Sequence, residues 1–201
     1  MSGTFPSTPK PIAVTVSSVA PSMVSTSHAL NRQARTRNAQ RWGFSLTYPK
    51  GLPRDELRAL WAFLLAQKGR SETFTFYLPT LHNRGAGGGP GLVAGGSQAG
   101  ASVNTDGWVP GAAIMAGDFV SFGSHKKVYA VTADAAADGS GLLTLAIVPP
   151  LVQSPSDNAV VNLHSKAVPM AWTCALTSDS VQIDLDQCEQ YGLELELEEV
   201  V

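Results

Sequence analysis

Residues Arg41 to Pro79 constrain the fold more than any other stretch, because strand, helix and strand follow one another there without a break. Arg41-Trp42-Gly43-Phe44-Ser45-Leu46-Thr47-Tyr48 reads as an aromatic strand, and Ser71 to Pro79 reads as its return. Between them a helix is predicted from about Pro53 to Lys68. Pro53 suits the first turn, where its missing N–H has no intrahelical partner to lose. Asp55 and Glu56 sit at the positive end of the helix dipole and Lys68 at the negative end. Gly69 is expected to supply the left-handed position that ends the helix. Leu57, Leu60, Trp61, Leu64 and Leu65 form one apolar stripe by spacing, so these five are the expected helix-to-sheet packing residues.

The rest of the chain reads as β structure. Charged residues make up only 15% and Gly plus Pro number 19 and 13, a composition that favours strands and turns over helices. Ile12 to Val19 alternates as a strand. Pro21 to Asn38 is polar and rich in Ser, Asn and Arg, and reads as a long hairpin arm. Gly85 to Gly100 is half glycine and reads as a linker. Beyond it, Trp108-Val109, Asp118 to Phe122, Lys127 to Thr132, Leu142 to Ile147 and Val160 to Leu163 read as short strands separated by turn signals, a small barrel. Met170 to Leu176 is a further strand. Leu193-Glu194-Leu195-Glu196-Leu197-Glu198 has a strict period of two, which a strand sorts into one leucine face and one glutamate face. The expected division is residues 1–84 plus 167–201 as one β domain, 85–100 as linker and 101–166 as an inserted barrel.

Charge is segregated along the chain. The net charge is −2, yet Arg32 to Arg70 holds nine basic and two acidic residues, and Asp179 to Val201 holds eight acidic and no basic ones. Opposite patches on one molecule can meet head to tail on neighbouring copies. Arg32, Arg35, Arg37 and Arg41 are therefore expected to form an inter-subunit arm, and direct nucleic-acid binding by this cluster is disfavoured by its lack of interleaved aromatics.

Catalytic and metal-binding patterns do not form. His28, His82, His125 and His164 lie far apart, and Cys174 and Cys188 are expected as buried free thiols. The glycine run lacks the Gly-Lys-Ser/Thr of a phosphate loop, and Gly95-Gly96-Ser97-Gln98-Ala99 lacks the last glycine of a nucleophile elbow. Asp184/Asp186 and Glu194/Glu196 read as solvated pairs on strand faces. No enzyme activity, cofactor or metal is expected. No apolar run spans a membrane, and the N-terminus lacks a signal-peptide pattern, which predicts synthesis in a cytoplasm.

Trp42-Gly43-Phe44-Ser45-Leu46, Leu60 to Gly69 and Glu72 to Pro79 together resemble a minor tail protein pattern of long, flexible-tailed bacteriophages. Gly117 to Phe122, Lys127-Val128-Tyr129 and Pro149-Pro150-Leu151 are similar to the inserted module of their distal tail proteins. The resemblance implies a tail-tube-like β-sandwich with one flanking helix and an inserted barrel. It also implies a hexameric ring in the virion tail, between the tube protein and the tip or hub proteins, through which DNA passes. On that reading Glu194, Glu196 and Glu198 line the channel. Two other readings compete. One is a carbohydrate- or receptor-binding module with Trp108 and Tyr129 as its platform, and the other is a tail-associated hydrolase.

Overall fold

The computed structural model describes residues 3–85, 88–123, 125–185 and 191–201. Among the described residues the fold is mainly β with one α-helix. The chain divides into two units, residues 1–76 with 173–200, and residues 77–172.

The first unit is built on β1 (Ala13–Val19), β4 (Arg41–Thr47), β5 (Phe74–Tyr77), β14 (Ala171–Leu176) and β17 (Glu194–Glu199). They form a five-stranded sheet in the order β1-β4-β17-β14-β5. Alternation sorts β4 cleanly: Trp42, Phe44 and Leu46 are buried and Gly43, Ser45 and Thr47 are only partly covered. β17 pairs antiparallel with β4 in the register Leu195↔Leu46 and Leu197↔Phe44, so the leucines join the same buried face. The free edge of β5 is covered by the N-terminal segment through Phe5 N–H to Thr75 O at 2.8 Å and Thr75 N–H to Gly3 O at 3.0 Å. This unit has a single large sheet among the described residues; a facing second sheet of sandwich size is not among its elements.

Helix α1 spans Arg54–Ala66 and buries Leu57, Leu60 and Leu64. Trp61 is only half-buried, and Leu65, expected in the packing stripe, is 57% exposed. The buried face turns instead toward Phe63 and Gln67. Phe63 meets Phe5 and Phe74 edge-on at ring-centroid distances of 5.7 and 5.3 Å, and Gln67 is fully buried with its amide donating to Phe63 O. Leu65 is two positions from both Phe63 and Gln67, roughly 160° round the helix from either, which takes it out of the core. The aromatic cluster of Phe5, Phe63, Phe74 and Phe76 thus sets the helix rotation. The helix also ends earlier than expected. Gln67 is the C-cap and Lys68 itself takes the left-handed conformation at φ 53°. Gly69 follows at φ 68°, and a β-carbon there would stand 2.8 Å from the Asp179 carboxylate that accepts the Arg70 N–H.

The second unit is an antiparallel sheet of β6 (Leu92–Val93), β7 (Ser102–Asp106), β9 (Phe119–Phe122), β10 (Val128–Val131), β12 (Leu143–Val148) and β13 (Val161–Leu163) in the order β13-β9-β10-β12-β7-β6. The two ends meet: Val93 N–H donates to Ala159 O, Asn158 N–H to Val93 O and Val161 N–H to Gly91 O, at 2.8–3.0 Å. The sheet is therefore a nearly closed barrel. Its interior holds Val93, Val103, Trp108, Val120, Phe122, Tyr129, Leu145 and Ile147.

Two expectations change here. Trp108-Val109 is not a strand; Trp108 follows β7 and drops into the barrel, where its Nε1–H donates to Thr105 Oγ1 at 2.8 Å. The glycine run is not a linker, because Gly88–Val93 is part of the barrel wall and Val93 is fully buried. The two facts share a cause. A β-carbon at Gly91 would collide with the Trp108 ring, so glycine is what lets the wall lie against the indole. The barrel unit accordingly runs from Tyr77 to Trp172 and is wider than the expected 101–166.

Candidate functional site

Two surfaces of the first unit carry the residues singled out by the sequence. The first is the arm. β2 (Ser22–Thr26) and β3 (Arg32–Thr36) pair as an isolated two-stranded hairpin, with Met23↔Arg35 and Val24↔Ala34 in register. Its turn is closed by Ser27 N–H to Asn31 O at 3.0 Å and Leu30 N–H to Ser27 O at 2.9 Å. Every residue from Ser17 to Ala39 is exposed. Met23, Val24 and Leu30 are 63%, 49% and 84% exposed, so the hairpin buries neither face on its own chain. Arg32, Arg35 and Arg37 lie on or just after β3 with no acidic residue in either strand.

Arg41 does not belong to the arm. It opens β4, and its guanidinium meets the Glu198 carboxylate at 3.3 Å within the chain. Arg70 reaches the other oxygen of Glu198 at 3.7 Å. Glu198 is thus held between two cations, unlike the free channel-facing charge expected of it.

The second surface is the outer face of the five-stranded sheet. Register places Ala13, Thr47 and Glu194 in one cross-strand row and Thr15, Ser45 and Glu196 in the next. Glu194 and Glu196 are exposed, on a strip otherwise made of small and hydroxyl side chains. Neighbouring carboxylates on that face stand about 7 Å apart along the strand. Thr177 Oγ1–H donates to Glu196 Oε2 at 3.3 Å.

Glu199 is not among the residues that the sequence singles out. It continues the parity of Leu193, Leu195 and Leu197 and is 1% exposed, so the period of two already assigns it inward. Its carboxylate accepts the Trp42 N–H at 3.3 Å and lies opposite Cys174 in register. Burial first, and the Glu199 charge second, push the buried Cys174 thiol well above its ordinary range, which makes it a poor nucleophile. Cys188 and Asp186 lie outside the described residues.

In the barrel, Trp108 and Tyr129 are 3% and 0% exposed, so neither is a binding platform. Tyr129 Oη accepts the Val152 N–H at 3.3 Å and lies 3.4 Å from His125 Nδ1. Folding brings His82 and His164 together at a ring-centroid distance of 5.0 Å, a contact their sequence separation hides. Among the described residues no group of three or more His, Cys, Asp or Glu side chains converges as a metal site, and no helix is long and apolar enough to cross a membrane. No protein-family model and no curated protein matches the chain.

Proposed function

We propose that the chain is a structural, non-enzymatic subunit of a bacteriophage tail. On this reading it assembles into a hexameric ring that joins the tail tube to the tip or baseplate and lets DNA pass. The observation that carries the reading is the arm. A two-stranded hairpin alone is at best marginally stable in water, and here it leaves Met23, Val24 and Leu30 uncovered beside three arginines. Its stabilising contacts lie on another molecule, and an adjacent copy offers acidic side chains to meet Arg32, Arg35 and Arg37.

The outer sheet face supports the same reading. A wall that DNA slides past has to be small, wetted and negative, so that phosphates are repelled and not held. Glu194 and Glu196 supply that charge among threonine, serine and alanine neighbours. Glu198 contributes little because Arg41 and Arg70 offset it. The resemblance to distal tail proteins adds the location in the virion tail and the partners, the tube protein and the tip or hub proteins.

Native mass spectrometry followed by cryo-electron microscopy of the purified protein tests the proposal. A ring with a central hole and Glu194 and Glu196 on the bore is the expected result. A monomer at every concentration, or a ring with those glutamates on its outer wall, removes the reading.

A further inference from the structure

We infer that His164 is a proton-sensitive latch that ties the two chain ends of the barrel unit together and releases them when it is protonated. The inference is independent of assembly and rests on the wiring around one side chain.

His164 is fully buried and bonds to both ends of residues 77–172. Toward the incoming segment, its Nε2 lies 3.3 Å from Thr80 O and its carbonyl accepts the Asn83 N–H at 2.9 Å. Toward the returning segment, its Nδ1 lies 3.0 Å from the Met170 backbone nitrogen. An amide N–H can donate only to a bare ring nitrogen, so Nδ1 carries no proton and Nε2–H donates to Thr80 O. Asn83 extends the junction, donating to Phe119 O and accepting the Phe119 N–H, both at 2.8 Å.

A second proton has to enter at Nδ1. There it confronts the Met170 N–H, donor against donor, and the bond to the returning segment is lost. Burial also disfavours the charged imidazolium. The surrounding charges do not compensate. His82 is the titratable neighbour whose charge bears on the ring, and a positive charge there adds repulsion. Asp118 precedes the Phe119 carbonyl that accepts the His164 N–H. Its carboxylate is already committed to the Arg84, Gly85 and Met115 amides at 2.8–3.0 Å. Arg84 and Lys166 are exposed. Trp172 closes the ring in edge-on at 5.6 Å. In keeping with this, burial holds the His164 pKa below the ordinary histidine value.

Hydrogen exchange by mass spectrometry on the full chain, from about pH 7.5 to about pH 5 and corrected for intrinsic exchange, tests the latch. Opening coupled to one proton predicts that protection over Leu78–Arg84 and Ser165–Met170 falls by about tenfold per pH unit below about pH 6.5. Protection over Leu143–Val148 of the barrel wall is expected to exceed that over the latch peptides at every pH, because the wall exchanges only through wider opening. In His164→Gln the latch peptides are expected to be weakly protected and flat with pH. In His82→Gln the onset stays at about pH 6.5, where the opened state sets it, and the fall levels off at a higher pH, since a positive neighbour no longer opposes protonation of the closed latch. A flat wild-type profile, latch peptides as well protected as Leu143–Val148, or an unchanged slope in His164→Gln overturns the inference. If His164→Gln does not fold, the wild-type slope and His82→Gln decide it alone.

Discussion

The hairpin β2–β3 and the barrel are both antiparallel β structure, yet they are stabilised in opposite ways. The barrel nearly closes on itself and buries a tryptophan, a tyrosine and a phenylalanine inside. The hairpin has a complete ladder and a well-formed turn but no interior at all. Backbone pairing is therefore common to both, and side-chain burial is what separates them. Under the proposed function the difference also sorts the two regions by role, with residues of the barrel expected to act on stability and residues of the arm on assembly.

The sharpest way to break that comparison is to empty the barrel. Trp108→Ala is expected to cost about 3–5 kcal/mol in urea unfolding followed by circular dichroism, because it removes the largest contact at the barrel's centre. A cost below that of an exposed tryptophan would show that the barrel does not depend on its interior. Gly91→Ala is expected to cost about 1–3 kcal/mol through overpacking against the indole. In a double-mutant cycle most of that penalty should vanish in the Trp108→Ala background, and additivity would disprove the contact.

Acidification is expected to act next. Burial lowers the pKa of both His164 and His125 below the unfolded value. A base whose folded pKa is depressed contributes full stability above the unfolded value of about 6.5, and that contribution is lost as pH falls below it. The urea midpoint should therefore be lower at about pH 5 than at about pH 7.5. His164→Gln should reduce that difference.

Smaller effects belong to the first unit's surface. Arg41→Ala removes an exposed ion pair to Glu198, and about 0–1 kcal/mol is expected in the same unfolding assay. Arg35→Glu with Arg37→Glu should leave the unfolding midpoint where it is and abolish the high-mass species in native mass spectrometry. An intact ring in that double variant would show that the arm's charges do not mediate assembly.

How much of this was legible in the sequence depends on the range of the signal. The alternation of Leu193–Glu198 assigned the buried and exposed faces of β17, and extending it by one residue would have caught Glu199. The helix was legible as an element, since periodicity and first-turn charge are local. Its rotation was not, because Phe5 and Phe74 decide it from far along the chain and turn Leu65 outward. Composition alone makes the glycine run look like a linker, because it does not reveal the indole that lies against Gly91. The pairing of Arg41 with Glu198 joins residues 157 positions apart, so an arginine counted with the arm by proximity belongs to the sheet.

The amino-acid order by itself determined a mainly β chain with one helix, the segregation of basic and acidic segments, and the inside and outside of the individual strands. Each follows from contacts between residues a few positions apart, where periodicity and charge act directly. Only the tertiary structure decided that the barrel closes through the glycine segment, that His164 bonds to both ends of its unit, and that Glu198 is neutralised while Glu194 and Glu196 remain free of arginine. Those outcomes depend on which distant segments share a surface, and burial and backbone hydrogen bonding settle that for the chain as a whole.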